Sequence, residues 1–326
     1  MEYSGKALAI SAIIVVLLIL FPAVAGSDHT LNLFISLFIT FTLAQSWNVL
    51  AGYAGQLSLG NATFFGVGTM VFHFFAWRIG LPFYVALPAA GFASVILASF
   101  IGVPALQLRG VYFAIGTLAL AEVFRATIAN LLPLTVYIPA AEVGNYKLSS
   151  RYYLALMVAL LAQAAAYCLI KSKIGFAMRA IRDDCEAADA SGVNPFKYKF
   201  MALVFSSFFS GLAGAVFAYY QTSIVPSFPF SPQWTFEPLV AACVGGAGAL
   251  LGPLVGSVFL IILQEVFALA LGKGYLIIFG ALFVFVVLFF PGGLIWALNR
   301  MRKKLYDLTF SSTMHTTSQD YEEGRR

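Results

Sequence analysis

The sequence predicts an all-α polytopic membrane protein with about ten transmembrane segments, glycine-broken helices and both termini in the cytoplasm. Three observations predict it. Of 326 residues, 61% are hydrophobic and 10% are charged, against about 45–50% apolar and about 25% charged in soluble proteins. The apolar residues fall into runs close to the roughly 20 residues that a helix needs to cross a bilayer. The basic residues gather between and after those runs, where they set orientation. A formal net charge of +5 placed in this way does not point to nucleic acid.

Taken in order, the candidate spans are 7–25, 31–50, 62–79, 83–102, 110–132, 152–171, 200–220, a short piece at 238–248, 253–271 and 275–291. The first follows Lys6 and ends in Ala23-Val24-Ala25, which has the form of a signal-peptide cleavage site. Its apolar run of about 19 residues is longer than a usual signal core, so a retained helix is expected. The short piece reads as a full span, a half-helix or a re-entrant segment. The loop 171–199 holds Lys171, Lys173, Arg179, Arg182, Lys197 and Lys199, and the tail holds Arg300, Arg302, Lys303, Lys304, Arg325 and Arg326. Placing loop and tail inside, with Lys6 and Arg109, puts fourteen of nineteen basic residues in the cytoplasm. Six spans then precede the loop and four crossings follow it, a parity that counts 238–248 as a crossing. Residues 1–299 form the membrane domain. Residues 300–326 form a polar tail, Ser/Thr-rich at 310–318, whose composition is that of disorder.

Two glycine clusters interrupt the spans. The first runs Gly52-Tyr53-Ala54-Gly55-Gln56-Leu57-Ser58-Leu59-Gly60-Asn61, and the second runs Gly245-Gly246-Ala247-Gly248-Ala249-Leu250-Leu251-Gly252-Pro253. They share Gly-x-x-Gly-x-Leu, and each sits between an arriving and a departing apolar segment. Paired glycine breaks in two halves point to a transport pathway, and Gln56, Ser58 and Asn61 add polar groups at membrane depth. Two tightly packed helix crossings would give the same pattern.

Within 171–199, Ile174, Ala177, Met178 and Ile181 share one helical face. Arg179 and Asp183, and Arg182 and Glu186, are opposite charges at i, i+4. Gly192 is the expected C-cap, with Pro195 beyond it. A short charged helix of this kind either docks in a partner's groove or serves as a solvated connector. Ionisable residues within spans are costly and face protein or water. Glu122 and Arg125 sit in 110–132 at i, i+3, His73 lies near Arg78, and Gln264 and Glu265 lie in 253–271. Glu122 and Arg125 are candidates for a pathway that carries both signs of charge, or else form an intrahelical salt bridge. The three cysteines, Cys168, Cys185 and Cys243, show neither a CxxC pair nor metal-ligand spacing. No nucleophile elbow or catalytic cluster is present in the sequence, so neither an enzyme nor a cofactor is expected.

Glu186-Ala187-Ala188 followed by Gly192 resembles the EAA-type coupling loop of ABC importer permeases. The longer strings resemble the branched-chain amino acid permeases of the LivM type. They are Trp47 to Gly60, Arg109 to Ile115, Ile181-Arg182 through Gly192-Val193 to Lys197-Tyr198-Lys199, Ser210 to Gly214, Gly245 to Pro253 and Pro291-Gly292-Gly293. The likeness runs from about residue 30 to residue 298. Asn61 departs from it, because related chains often carry His there. The resemblance implies a half-channel that pairs with a homologous LivH-type permease, two cytoplasmic ATP-binding subunits and an extracytoplasmic substrate-binding protein. The chain lacks GxxxxGK[ST] and so cannot itself cradle ATP phosphates. The implied solutes are branched-chain or similar hydrophobic amino acids, while relatives also serve urea, amides and aromatic acids. An ion-coupled secondary transporter is the alternative of a different class; it needs intramembrane carboxylates, and Glu122 and Glu265 are those the spans offer.

Overall fold

The computed structural model describes residues 13, 15–23, 27–108, 110–144, 146–271 and 293. Helix α1 (Asp28–Trp47) runs straight into a π-helical turn over Asn48–Tyr53. Helix α2 (Asn61–His73) likewise ends in a π turn, Phe74–Arg78. Then come α3 (Phe83–Ala105) and α4 (Val111–Leu131). A two-residue strand β1 (Val136–Tyr137), the one-turn α5 (Ala140–Val143) and α6 (Leu148–Lys171) follow. The polar loop forms α7 (Lys173–Asp183) and α8 (Cys185–Ala190). Next are α9 (Pro195–Tyr220), strand β2 (Ser223–Ile224), α10 (Gln233–Gly245) and α11 (Gly252–Leu271). The protein is helical and membrane-spanning. Among the described residues five helices are long and apolar enough to cross a bilayer: α1 with its π turn, α3, α4, α6 and α9.

Two helices begin outside the boundaries expected from hydropathy. The span expected at 200–220 begins at Pro195, because Asn194 accepts from the Lys197 N–H and proline suits the first helical turn. The span expected at 152–171 begins at Leu148, ahead of Arg151. Arg151 is buried nonetheless, at 3% exposure. Its Nε donates to the Tyr219 carbonyl at 3.0 Å and its guanidinium lies 3.5 Å over the Tyr146 ring, so hydrogen bonds and a π face replace water. Burial pushes the Tyr146 phenol up, with Arg151 pulling the other way. The short piece expected at 238–248 takes in the C-terminal part of α10, which starts at Gln233 and ends at Gly245, and the glycine turn after it. The 13 residues of α10 rise about 20 Å, less than the roughly 30 Å hydrocarbon layer, so α10 alone is a half-helix. A short 3-10 turn, Phe228–Phe230, leads into it from β2. The expected spans 7–25 and 275–291 lie partly and wholly outside the described residues.

Helix α9 is the centre of the bundle, packed on α1, α2, α3 and α6. Its approach to α2 is built on small residues. A Cβ on Gly68 would strike the Gly211 backbone, and one on Gly214 would strike the Phe65 carbonyl. Thr69 Oγ1 donates to the Gly214 carbonyl at 3.1 Å, and Ser94 Oγ of α3 donates to the Phe64 carbonyl at 2.9 Å. With no hydrophobic drive between helices in lipid, such close contact and interhelical hydrogen bonding hold the crossing together. Helices α1 and α9 are largely covered by protein, whereas α4 leaves most of its apolar surface outside.

The element directions define two ends. At one lie the π turn after α1, the end of α10 and the loop helices α7 and α8. At the other lie the antiparallel β1–β2 pair, the Trp77–Tyr219 stack and Arg151.

Candidate translocation pathway and coupling contact

The two glycine clusters, far apart in sequence, meet at the end that carries α7. In the π turn, the buried Asn48 side chain accepts from the Gly248 N–H at 2.7 Å and donates to the Ala249 carbonyl at 3.0 Å. A Cβ on Gly52 would collide with the Gly248 N–H, so the two turns touch through backbone. Gly55 and Gly248 have φ of 70° and 82°, a left-handed conformation that glycine adopts without a Cβ penalty.

Arg182, at the end of α7, closes this junction. Its Nη1 donates to the Gly52 carbonyl at 2.8 Å. A Cβ on Gly55 would stand 3.1 Å from its Cγ, and one on Gly248 2.9 Å from Nη1. The remaining guanidinium donors hold Asp183 Oδ1 at 2.9 and 3.1 Å. One side chain of the polar loop thus touches both glycine turns.

The loop itself is two helices meeting at a corner. Ser172 caps α7. Asp184 leaves helical conformation, with φ −153°, and its carboxylate accepts from the Glu186 and Ala187 N–H groups at 3.0 Å each, which starts α8. Arg182 and Glu186 therefore stand on different helices, separated at Asp184, whose side chain competes for backbone donors. The charge pair expected between Arg179 and Asp183 gives way to Arg179 donating to the Gly175 and Ile170 carbonyls, while Asp183 takes Arg182. Gly192, with φ 84°, ends α8 as expected. Ala188 is buried, while Glu186 and Ala187 lie on the exposed side.

Beyond the junction, the first cluster is pinned to its surroundings. Trp47 Nε1 donates to the Ser58 carbonyl at 2.9 Å, and the Leu59 N–H donates to Thr117 Oγ1 at 3.0 Å. Gln56 and Ser58 are buried, and Asn61 is wholly so. Gly245 and Gly246 press on Gly252, bringing the start of α11 against the end of α10. Glu122 stands apart from this assembly. On α4 it pairs with Arg125 at 2.8 Å, the intrahelical bridge that the i, i+3 spacing allows. Arg125 lines a cavity of about 440 Å³ with Ser223, Ser227 and Ser231.

Glu237 escaped the sequence reading. It is 8% exposed and accepts from Gln233 Nε2 at 2.8 Å and Gln264 Nε2 at 3.0 Å. These residues line a cavity of about 430 Å³ between α1, α9, α10 and α11. The legible signal was Gln233 and Glu237 at i, i+4 just ahead of the second glycine cluster. They fell outside the hydropathy window drawn at 238–248. Among the described residues no group of His, Cys, Asp and Glu is placed to hold a metal ion.

Two glycine turns that meet between helix ends, bridged by a side chain of the polar loop, form the candidate site at this end of the bundle. Comparison with known proteins gives the family. Residues 29–287 match the permease component of the branched-chain amino acid transport system, and the chain belongs to that family. It is 28% identical over 290 residues to the high-affinity branched-chain amino acid transport system permease protein LivM of Salmonella typhimurium, covering 79% of this chain and 68% of the relative. It is 24% identical over 231 residues, 62% of this chain and 67% of the relative, to a probable LivM of Methanocaldococcus jannaschii. A shorter likeness, 31% over 75 residues, covers 23% of this chain and 24% of the guanosine ABC transporter permease protein NupQ of Bacillus subtilis. No solved structure matches. The chain is thus a multi-pass membrane permease of a family that works with ATPase and binding-protein partners.

Proposed function

We propose that this chain is one half of the translocation channel of an ABC importer for branched-chain or similar hydrophobic amino acids. A homologous LivH-type permease supplies the other half. Two ATP-binding subunits engage α7 and α8 at the cytoplasmic face, and a substrate-binding protein delivers solute at the opposite face. The chain crosses the membrane ten times with both termini inside. The basic loop and tail favour that orientation.

The observation that carries the reading is the Arg182 bond to the Gly52 carbonyl, beside Gly248. It supports a mechanical role. A subunit that grips the exposed side of α8 through Glu186 and Ala187 displaces α7, and Arg182 passes that displacement to both glycine turns. Backbone turns whose glycines carry no side chain respond by changing φ and ψ, and the junction between them acts as the cytoplasmic gate. Gly52, Gly55, Gln56, Ser58 and Asn61 form one lip, Gly245, Gly246 and Gly248 the other. Glu122 contributes by holding Arg125 at the neighbouring cavity.

The test is reconstitution of the two permeases and two ATP-binding subunits in proteoliposomes, with the binding protein added and leucine as solute. Wild type takes up leucine on ATP hydrolysis, and Arg182→Ala hydrolyses ATP with leucine uptake reduced at least about tenfold, the scale expected when a charged group's hydrogen bond is lost. Coupled uptake by Arg182→Ala at the wild-type rate would sink the gate mechanism. Guanosine uptake without leucine uptake would move the substrate assignment to nucleosides.

A further inference from the structure

Glu237 is the best-enclosed carboxylate among the described residues, and the gate described above does not use it. An ionisable side chain at membrane depth is costly and stays there with a partner or a function. Its two recorded partners are neutral amides, Gln233 Nε2 and Gln264 Nε2, and both donate to Oε1. A carboxylate offers roughly four acceptor sites. Among the described residues no hydrogen bond reaches Oε2, and no Lys or Arg lines the cavity. The carboxylate therefore lacks a cationic partner on this chain's described walls, yet it borders a space of about 430 Å³.

That space has a definite chemistry. Glu237, Gln233, Gln264 and Glu265 are its polar patch, while Ile39, Phe217, Phe228 and Trp234 give an apolar wall. His29 Nε2, the nearby basic group, is engaged with Glu265 Oε1 at 3.0 Å, which leaves Glu237 as the carboxylate of the patch without a basic partner among the described residues. The cavity lies in the half of the bundle away from Arg182, because α1 and α9 present to it residues 33–40 and 217–221 and α11 presents residues 261–265. It also shares Phe217, Gln221 and Phe228 with the cavity that Arg125 lines. A discontinuous helix with a polar patch at membrane depth is where transporters hold solute.

We infer that the Glu237 carboxylate, steadied by Gln233 and Gln264, receives the ammonium group of an amino acid in transit, with the solute's aliphatic side chain against Phe217, Phe228 and Trp234. The inference rests on the amino acid reading of the previous subsection and names the group that recognises the solute. No chemical bond is made or broken. The solute exchanges water for a charge-assisted hydrogen bond in a site of lower dielectric. The amides keep Oε1 occupied, so the ammonium docks on Oε2.

The experiment uses the complete transporter in proteoliposomes, with the binding protein outside and leucine or guanosine as probe. Wild-type uptake of leucine is the control for the reading beneath the inference; a wild-type complex that moves guanosine alone overturns both. Given leucine uptake, E237Q is expected to lower it about ten- to a hundredfold, the loss of one charge-assisted bond, while leucine-loaded binding protein still stimulates ATP hydrolysis. E237D restores part of the uptake. Wild-type uptake by E237Q overturns the inference and leaves the amino acid reading standing. A second measurement keeps Glu237 intact: Ser36→Cys on the cavity wall, in a complex whose Cys168, Cys185 and Cys243 are replaced by serine. Leucine is expected to slow its labelling by a thiol reagent, and 4-methylpentanoate, which lacks the ammonium, to leave it unchanged. Equal protection by the two overturns the inference, including in the case where E237Q fails to assemble.

Discussion

Asn48 and Gly248, two hundred positions apart in sequence, are joined by a 2.7 Å hydrogen bond from the Gly248 N–H to Asn48 Oδ1. The same amide donates to the Ala249 carbonyl at 3.0 Å. A buried side chain thereby completes the backbone hydrogen bonding of a turn that no strand or helix supports. The arrangement allows the glycine turns to stay irregular at depth, since irregular backbone in a membrane must be satisfied by protein or by a water-filled cavity.

Asn48→Ala should therefore leave a donor and an acceptor unpaired. The expected cost is roughly 2–4 kcal/mol, the desolvation of two polar groups. A lowered melting temperature of the purified complex measures it. Asn48→Asp keeps the acceptor and should fall between. An N48A complex as stable as wild type would show that the turn finds other partners.

Gly248→Ala tests the left-handed turn. Its φ of 82° costs an L-residue roughly 1–2 kcal/mol, and the added Cβ meets Arg182 Nη1 at 2.9 Å. The variant should assemble, bind its ATPase and lose coupled uptake. Retained coupling would place the moving element elsewhere.

Asp184→Ala removes the cap that begins α8. Losing an N-cap typically costs about 1 kcal/mol, and α8 has only six residues to absorb it. Recovery of the ATPase with this chain in pull-down should drop several-fold. Glu186→Arg, which leaves the cap in place, should weaken the same complex or uncouple it. Full recovery of the ATPase with both variants would separate α8 from docking.

Glu122→Gln releases Arg125 from its 2.8 Å bridge. With Arg125 at the rim of the neighbouring cavity, uptake should fall while assembly is unchanged. Normal uptake would reduce the pair to helix packing.

Much of the architecture was legible along the chain. Apolar runs of span length marked the long helices because lipid demands that pattern residue by residue. Gly192, with Pro195 beyond it, marked the end of the second loop helix because capping is decided within three or four residues; Ser172, Asp184 and Asn194, which cap the helices that follow them, carry an equally local signal that went unread. The family strings around Gly52, Glu186 and Gly248 were legible for the same local reason. Charge pairing in the loop was less so. Helical spacing joined Arg179 to Asp183, but Asp183 takes Arg182 instead.

The glycine interruptions, the basic loop and the membrane-spanning class are thus properties of the sequence by itself, because each depends on neighbours within a turn or on transfer into lipid. Tertiary structure alone decided that Gly52 and Gly248 share one junction, that Arg182 bridges them, and that Glu237 meets Gln264 at the edge of a cavity. Those contacts span from 27 to 200 positions. They depend on how α1, α10 and α11 pack, where the absence of a Cβ lets backbones touch and a buried polar group takes whichever partner the packing supplies.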